Sequence, residues 1–149
     1  MAEHPAREAL EQTVEAVVEK YAPVAVLLFG SLARGDFSPE SDADVLVLLP
    51  QPRVDFVEML GKIKACDRSG LIDLFPYGWR QFMAMFRDYN LLALDAMADG
   101  VLLYLGDGTK WRVIRREAAK VLREVEAIEG GWQVKASMTK KDFPARPKA

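Results

Sequence analysis

Apolar residues along this chain recur with two different periods, and the change between them marks out the elements. Between Pro5 and Tyr21, Leu10, Val14, Val17, Val18 and Tyr21 share one helical face while Glu8, Glu11, Glu15 and Glu19 line the other, which predicts an amphipathic opening helix. Val24 to Phe29 is nearly all apolar and bounded by Pro23 and Gly30; a run that short suits a buried strand. Val45 to Leu49, ending at Pro50, is a second such run. Between the two lies GSLARGDFSPESDAD, dense in Gly, Ser and charge, where the chain must turn and expose its backbone.

Farther along, Val54, Val57, Leu60 and Ile63 predict a surface helix over Arg53 to Asp67, and Leu71 to Tyr77 reads as a third strand. Gln81 to Asp88 and Leu91 to Ala98 are expected to be short helices, and Val101 to Leu105 a fourth strand after Gly100. Thr109 is the expected N-cap of a long helix reaching about Glu129, with Ile114, Val121, Val125 and Ile128 as its apolar stripe and Gly130-Gly131 as its end. The expected organisation is one domain over residues 1–129 and a flexible basic tail over 130–149. Trp79, Phe82, Met83 and Phe86 are at core-like helical spacing, and Cys66 reads as a small buried hydrophobe. His4 lies near a terminus expected to fray and is given no catalytic role.

With 149 residues, half of them hydrophobic, the chain can build one compact core around one site. The net charge of −2 argues neither for a generic nucleic-acid binder nor for an acidic-tail protein, and it conceals an asymmetry. Residues 1–109 carry 9 Lys or Arg against 17 Asp or Glu, net −8; residues 110–149 carry 11 against 5, net +6. The basic stretch reads first as a solvated helix face, with an RNA contact or an acidic partner as less favoured uses of the tail. One cysteine allows no internal disulfide and no ligand-spaced pair, so the expectation is a cytoplasmic protein without a structural zinc site. No apolar run approaches the ~20 residues of a membrane span, and the N-terminal segment has no signal-like core.

The chemistry is concentrated in Asp42-Ala43-Asp44. Two carboxylates two residues apart project from one face at the start of an otherwise apolar strand, where they repel each other unless a cation compensates them. Oxygen-only donors suit Mg²⁺, and two such ions ~3.5–4 Å apart can stabilise both the attacking and the leaving oxygen of an in-line phosphoryl or nucleotidyl transfer. A third carboxylate is then expected on a neighbouring strand. Asp73, the one charged residue in Leu71-Ile72-Asp73-Leu74-Phe75, supplies it and is a candidate base for an attacking hydroxyl. Upstream, Gly30-Ser31 follows the first strand and Gly35 closes the same turn, an arrangement that offers free amides to phosphate, with Arg34 as a cation and Ser41 as a further candidate contact. Ser41-Asp42 also suits a plain turn, and Asp36 and Glu40 read as solvated. This is not a Walker loop, since no Gly-Lys-Ser/Thr follows. A phosphoaspartate receiver is disfavoured, because receivers have no Gly-Ser turn before their acidic pair.

Gly30-Ser31-Leu32-Ala33-Arg34-Gly35, followed after five residues by Ser41-Asp42-Ala43-Asp44, resembles the signature of the DNA polymerase β-type nucleotidyltransferases, and especially the minimal nucleotidyltransferase group. The resemblance spans roughly residues 20–105. It implies that Gly30 and Ser31 bind the β- and γ-phosphates of ATP or another NTP, that Asp42 and Asp44 ligate two Mg²⁺ ions, and that Asp73 completes the site. Chains of this group that lack acceptor-binding domains are similar to the antitoxin halves of two-gene modules paired with an all-helical HEPN-domain ribonuclease, and some transfer AMP to a tyrosine of that partner.

The expected fold is therefore α/β (α+β), with a mixed sheet of about four strands, helices mainly on one face and a long C-terminal helix. The expected reaction is Mg-dependent transfer of a nucleoside monophosphate, AMP from ATP in the first instance, to a hydroxyl acceptor. A different class of function, an interaction module that masks a partner protein with little or no catalysis, is the alternative.

Overall fold

The computed structural model describes residues 4–129 and 131–135 of the chain. Helix α1 (Ala6–Tyr21) buries Ala6, Leu10, Thr13 and Val17, the three-to-four-residue spacing anticipated for its apolar face. It stops at Ala22, which takes a left-handed φ of 46° and returns its N–H to the Val18 carbonyl, with Pro23 next.

Strands β1 (Ala25–Phe29) and β2 (Ala43–Leu49) run antiparallel, joined through the single-turn helix α2 (Ser31–Arg34) and a loop. The chain then crosses by α3 (Phe56–Ile63) to β3 (Ile72–Gly78), parallel to β2, and continues through α4 (Trp79–Arg87) and α5 (Leu91–Asp99) into β4 (Val101–Leu105), antiparallel to β1. The sheet order is β3-β2-β1-β4, the four-stranded mixed sheet expected. Helix α6 (Gly108–Leu122) follows. Helices cover both faces, which is why β1 and β2 read as unbroken apolar runs. On one face Leu27, Phe29, Leu46 and Leu48 pack with Phe82 and Phe86 of α4, Leu94 of α5 and Ile114 of α6. On the other, Val26, Leu28, Val45 and Val47 pack with Leu10 and Val17 of α1 and with Ile63 of α3. The helices thus divide evenly, α4, α5 and α6 on one face against α1, α3 and the single-turn α2 on the other, and are not gathered mainly on one face as expected. Trp79, Phe82, Met83 and Phe86 are core residues, as their spacing suggested.

The C-terminal region departs from the sequence pattern. Helix α6 ends at Leu122 instead of near Glu129, and a hairpin of β5 (Val125–Ile128) and β6 (Gly131–Val134) takes the remaining span. Val125 and Ile128 are therefore strand residues, and residues 131–134, expected to begin the tail, are paired. Contacts distant in sequence hold this hairpin: the Trp132 indole donates to Asp95 Oδ1 at 2.8 Å, and the Tyr89 hydroxyl donates to Glu124. The N-cap is Asp107, not Thr109; its Oδ1 accepts from the amides of Thr109 and Lys110. On α6 itself, Arg112, Arg115, Arg116 and Lys120 are exposed, and Glu117 bridges Lys120 and Arg87, the solvated face anticipated. Residues 136–149, with Lys140, Lys141, Arg146 and Lys148 of the expected tail, lie outside the described residues.

The start of α4 is locked by one side chain. Gly78 packs so tightly on Pro52 that an added Cβ would sit 2.5 Å from its backbone. Gln81 Oε1 accepts from the amides of Gly78 (2.9 Å) and Val54 (3.2 Å), while its Nε2 donates to the Val54 carbonyl. Gln81→Ala strands these partly buried backbone groups and is expected to cost about 1–3 kcal/mol, read from the midpoint of a urea melt.

No helix among the described residues is long and apolar enough to cross a membrane. Of the two edge strands, β3 and β4, the latter exposes Val101, Leu102 and Leu105, each by more than 40%. Beside it, between β4 and α1, runs an apolar groove of about 740 Å³ whose rim carries Glu11, Glu15 and Glu19.

Candidate active site

The sheet brings the acidic residues to one end of its strands by register. Phe29 at the end of β1 pairs with Asp44 near the start of β2, and Asp44 pairs with Asp73 of the parallel strand β3. Directly opposed residues share a face, so Asp44 and Asp73 stand side by side on the face of α4–α6, about 4.8 Å apart at the backbone. Asp42 is exposed one residue ahead of β2, whose first amide, that of Ala43, donates to the Leu71 carbonyl ahead of β3. A turn around Asp67 sets that start of β3: its carboxylate accepts from the Ser69 amide and hydroxyl and from the amides of Gly70 and Ile72. Burial would raise the Asp67 pKa, but these bonds outweigh it and hold the carboxyl below its ordinary value.

The electrostatics of the site follow from this crowding. Burial, then the charges of Asp73 and Asp42, raise the Asp44 pKa from 3.8 to about 6, against a smaller opposing effect of Arg34. Asp73 is also raised, by burial first and then by Asp42 and Asp67. Asp73 is nonetheless exposed: it lies at the start of an edge strand and shares the α4–α6 face with the partly buried Phe75 and Tyr77, while Ile72 and Leu74 pack on the α1 and α3 side. Asp42, Asp44 and Asp73 offer oxygen donors only, the kind a hard cation such as Mg²⁺ takes. Their side chains as they stand do not converge on one point; among the described residues no group of three or more His, Cys, Asp or Glu is close enough to hold a metal ion.

Gly30 forms the other wall. Its φ of 76° and ψ of −158° are open essentially to glycine alone, and an added Cβ would lie 2.3 Å from Asp44 Oδ2, so the Asp44 carboxylate rests against the Gly30 backbone. The Gly30 carbonyl accepts from the amides of Ala33 and Arg34; those of Ser31 and Leu32, in the first turn of α2, have no carbonyl four residues back within the helix to bond. Gly35, with φ 88°, ends the turn. Arg34 forms an exposed ion pair of 3.3 Å with Asp36. The Ser41 hydroxyl accepts from the Ser38 amide at 3.0 Å and closes the Ser38–Ser41 turn.

Some residues beside the site carried little signal in the sequence. His4 is buried, not frayed: Nδ1 accepts from the Ala6 amide, so the neutral ring donates from Nε2 to the Ser38 carbonyl and packs edge-on against Phe37. It thereby ties α1 to the loop between the phosphate-type turn and the carboxylates. Trp132 of β6 and Asp95 of α5 face a cleft of about 420 Å³ that begins at Arg34. Trp132 had only a preceding Gly-Gly to mark it, and that was read as the end of a helix.

A family model for the nucleotidyltransferase domain matches residues 10–91, from α1 to the start of α5. Among solved structures, a toxin–antitoxin crystallised with AMP-PNP matches with a TM-score of 0.52 at 17% identity, over 76% of this chain and 86% of that one. A chain from Sulfolobus solfataricus described as a nucleotidyltransferase matches with a TM-score of 0.49 at 21% identity, over 68% of this chain and 81% of that one. No curated protein matches at a significant level.

Proposed function

Because the chain belongs to the nucleotidyltransferase domain family, we propose that it transfers a nucleoside monophosphate, AMP from ATP in the first instance, to a hydroxyl acceptor in a Mg²⁺-dependent reaction. The observation that carries this reading is the register pairing of Asp44 with Asp73, beside a glycine backbone that admits no side chain. Asp42 and Asp44 would hold Mg²⁺ with Asp73, and the bound cation would neutralise charge on the phosphates and on the leaving pyrophosphate. Gly30, Ser31, Arg34 and Gly35 hold the triphosphate. The acceptor oxygen attacks the α-phosphorus, its proton passes to Asp73, and the bond from the α-phosphorus to the bridging oxygen breaks as pyrophosphate departs. A tyrosine of a HEPN-type partner is the acceptor we favour, on the resemblance of the paired motifs to the minimal nucleotidyltransferases.

The test is incubation with labelled ATP, CTP, GTP and UTP, magnesium and the product of the adjacent gene, with the label located by mass spectrometry. Covalent nucleoside monophosphate on a hydroxyl, lost when Asp42 and Asp44 are both changed to Asn, is the expected result; undiminished labelling by that variant overturns it. The second reading, a module that masks a partner, is favoured by the groove between α1 and β4. An apolar floor beside an unpaired strand edge, rimmed by Glu15 and Glu19 and by Glu11 in an ion pair with Arg7, suits a partner segment with apolar side chains flanked by Lys or Arg. Neutralisation of that partner by the Asp42/Asp44 variant would select this reading over catalysis.

A further inference from the structure

The cleft that begins at Arg34 is not part of the carboxylate cluster, yet one residue joins them. Arg34 lines the cleft and its charge also acts on Asp44. From there the cleft runs between α5 and the β5–β6 hairpin, with Leu91, Ile128 and the Trp132 indole as apolar surface and Asp95 and Asp99 as carboxylates. Its volume of about 420 Å³ is within the range of roughly 300–1,000 Å³ typical of small-molecule pockets. Trp132 does not rotate freely there, because its Nε1 is fixed on Asp95 at 2.8 Å. That bond orients the ring.

We propose that this cleft is the nucleoside subsite, in which the base of the bound nucleotide stacks on Trp132 and ribose or exocyclic amino groups donate to Asp99. The proposal rests on the nucleotidyl-transfer reading and gives that site its substrate orientation. Charge fixes the direction. The one cation lining the cleft, Arg34, is paired with Asp36 at 3.3 Å, whereas Asp95 and Asp99 of α5 have no cation beside them in the lining. Phosphate is repelled from its interior and held at the Arg34 end, toward Gly30 and Asp44, while a neutral nucleoside with N–H and O–H donors is accepted deeper in. A nucleic-acid backbone, carrying one charge per nucleotide, fits this lining poorly. The hairpin thus contributes substrate recognition outside the 10–91 segment matched by the family model.

The experiment compares the affinities of MgATP and of magnesium tripolyphosphate for the wild type, Trp132→Ala and Trp132→Phe by titration calorimetry, with circular dichroism to check folding. Trp132→Ala is expected to weaken MgATP binding about ten- to a hundredfold, the size of one base–aromatic stack, and to leave tripolyphosphate binding unchanged. Trp132→Phe should retain most of the MgATP affinity. Unchanged MgATP binding by Trp132→Ala, or an equal loss for tripolyphosphate, overturns the subsite. Should the wild type bind neither compound, the nucleotidyl-transfer reading itself fails, a result distinct from the other two. If a basic peptide acceptor, and not the nucleoside, occupies the cleft, MgATP binding survives in Trp132→Ala and the proposal falls.

Discussion

Asp44→Asn is expected to make the metal-free protein more stable well above pH 6 while reducing nucleotide transfer at least about a hundredfold. These opposite effects have one cause. Folding raises the Asp44 pKa from 3.8 to about 6, through burial first and then the charges of Asp73 and Asp42. The folded chain therefore binds this proton more tightly than the unfolded chain does. The stability it confers is complete below pH 3.8 and disappears as pH rises through about 6, leaving an ionised carboxylate that opposes folding. A shift of this size corresponds to at most about 3 kcal/mol, which solvent screening at a half-buried position reduces to about 1–2 kcal/mol. The asparagine keeps the shape and loses the charge, so the melting temperature should rise by roughly 3–8 °C. Calorimetry in EDTA across pH checks this: the gain should vanish toward pH 4, and magnesium should stabilise the wild type more than the variant. A variant less stable than wild type at high pH would show that the carboxylate serves the fold and not a ligand.

The parts of this molecule visible in the sequence are those whose signal is local. The all-apolar runs of β1 and β2 mark strands buried on both faces, and Asp42 and Asp44 stand out because nothing else in the second run is polar. Gly30 is legible only together with those aspartates, since Gly-Ser followed by Arg-Gly also suits a plain structural turn. Asp73 stands out as the one acid in the third apolar run, but the sequence leaves open whether it is a buried ligand or an exposed strand-end residue, because it does not say that β3 lies at the edge of the sheet. The hairpin was missed for a physical reason. Val121, Val125 and Ile128 fit the period of a helix as well as they fit a helix end followed by a strand. What decides between these is Trp132 reaching Asp95, 37 residues away, and Tyr89 reaching Glu124, 35 residues away. His4 was obscured in the same manner, its partner Ser38 lying 34 residues on. Tertiary hydrogen bonds leave no periodic trace.

Gly30→Ala is expected to remove activity as completely as loss of a carboxylate, although alanine adds only a methyl group. Two costs coincide at this position. The backbone conformation, φ 76° with ψ −158°, is strained by about 1–3 kcal/mol for any residue with a Cβ. The methyl would also lie 2.3 Å from Asp44 Oδ2, far inside contact distance, so the carboxylate must move. Asp44 cannot retreat along β2, because its backbone is held by Phe29 on one side and Asp73 on the other. Its side chain must therefore swing away from the phosphate-type turn, and a displacement of ~1 Å is enough to cost about a hundredfold in rate. Ser31→Ala offers the contrast, since it removes one hydroxyl donor without touching Asp44 and should cost far less. Measured together, the two variants separate geometry from hydrogen bonding. If Gly30→Ala kept more than a tenth of wild-type transfer, the close packing of this turn on Asp44 would have no part in catalysis, and the phosphates would have to be held elsewhere.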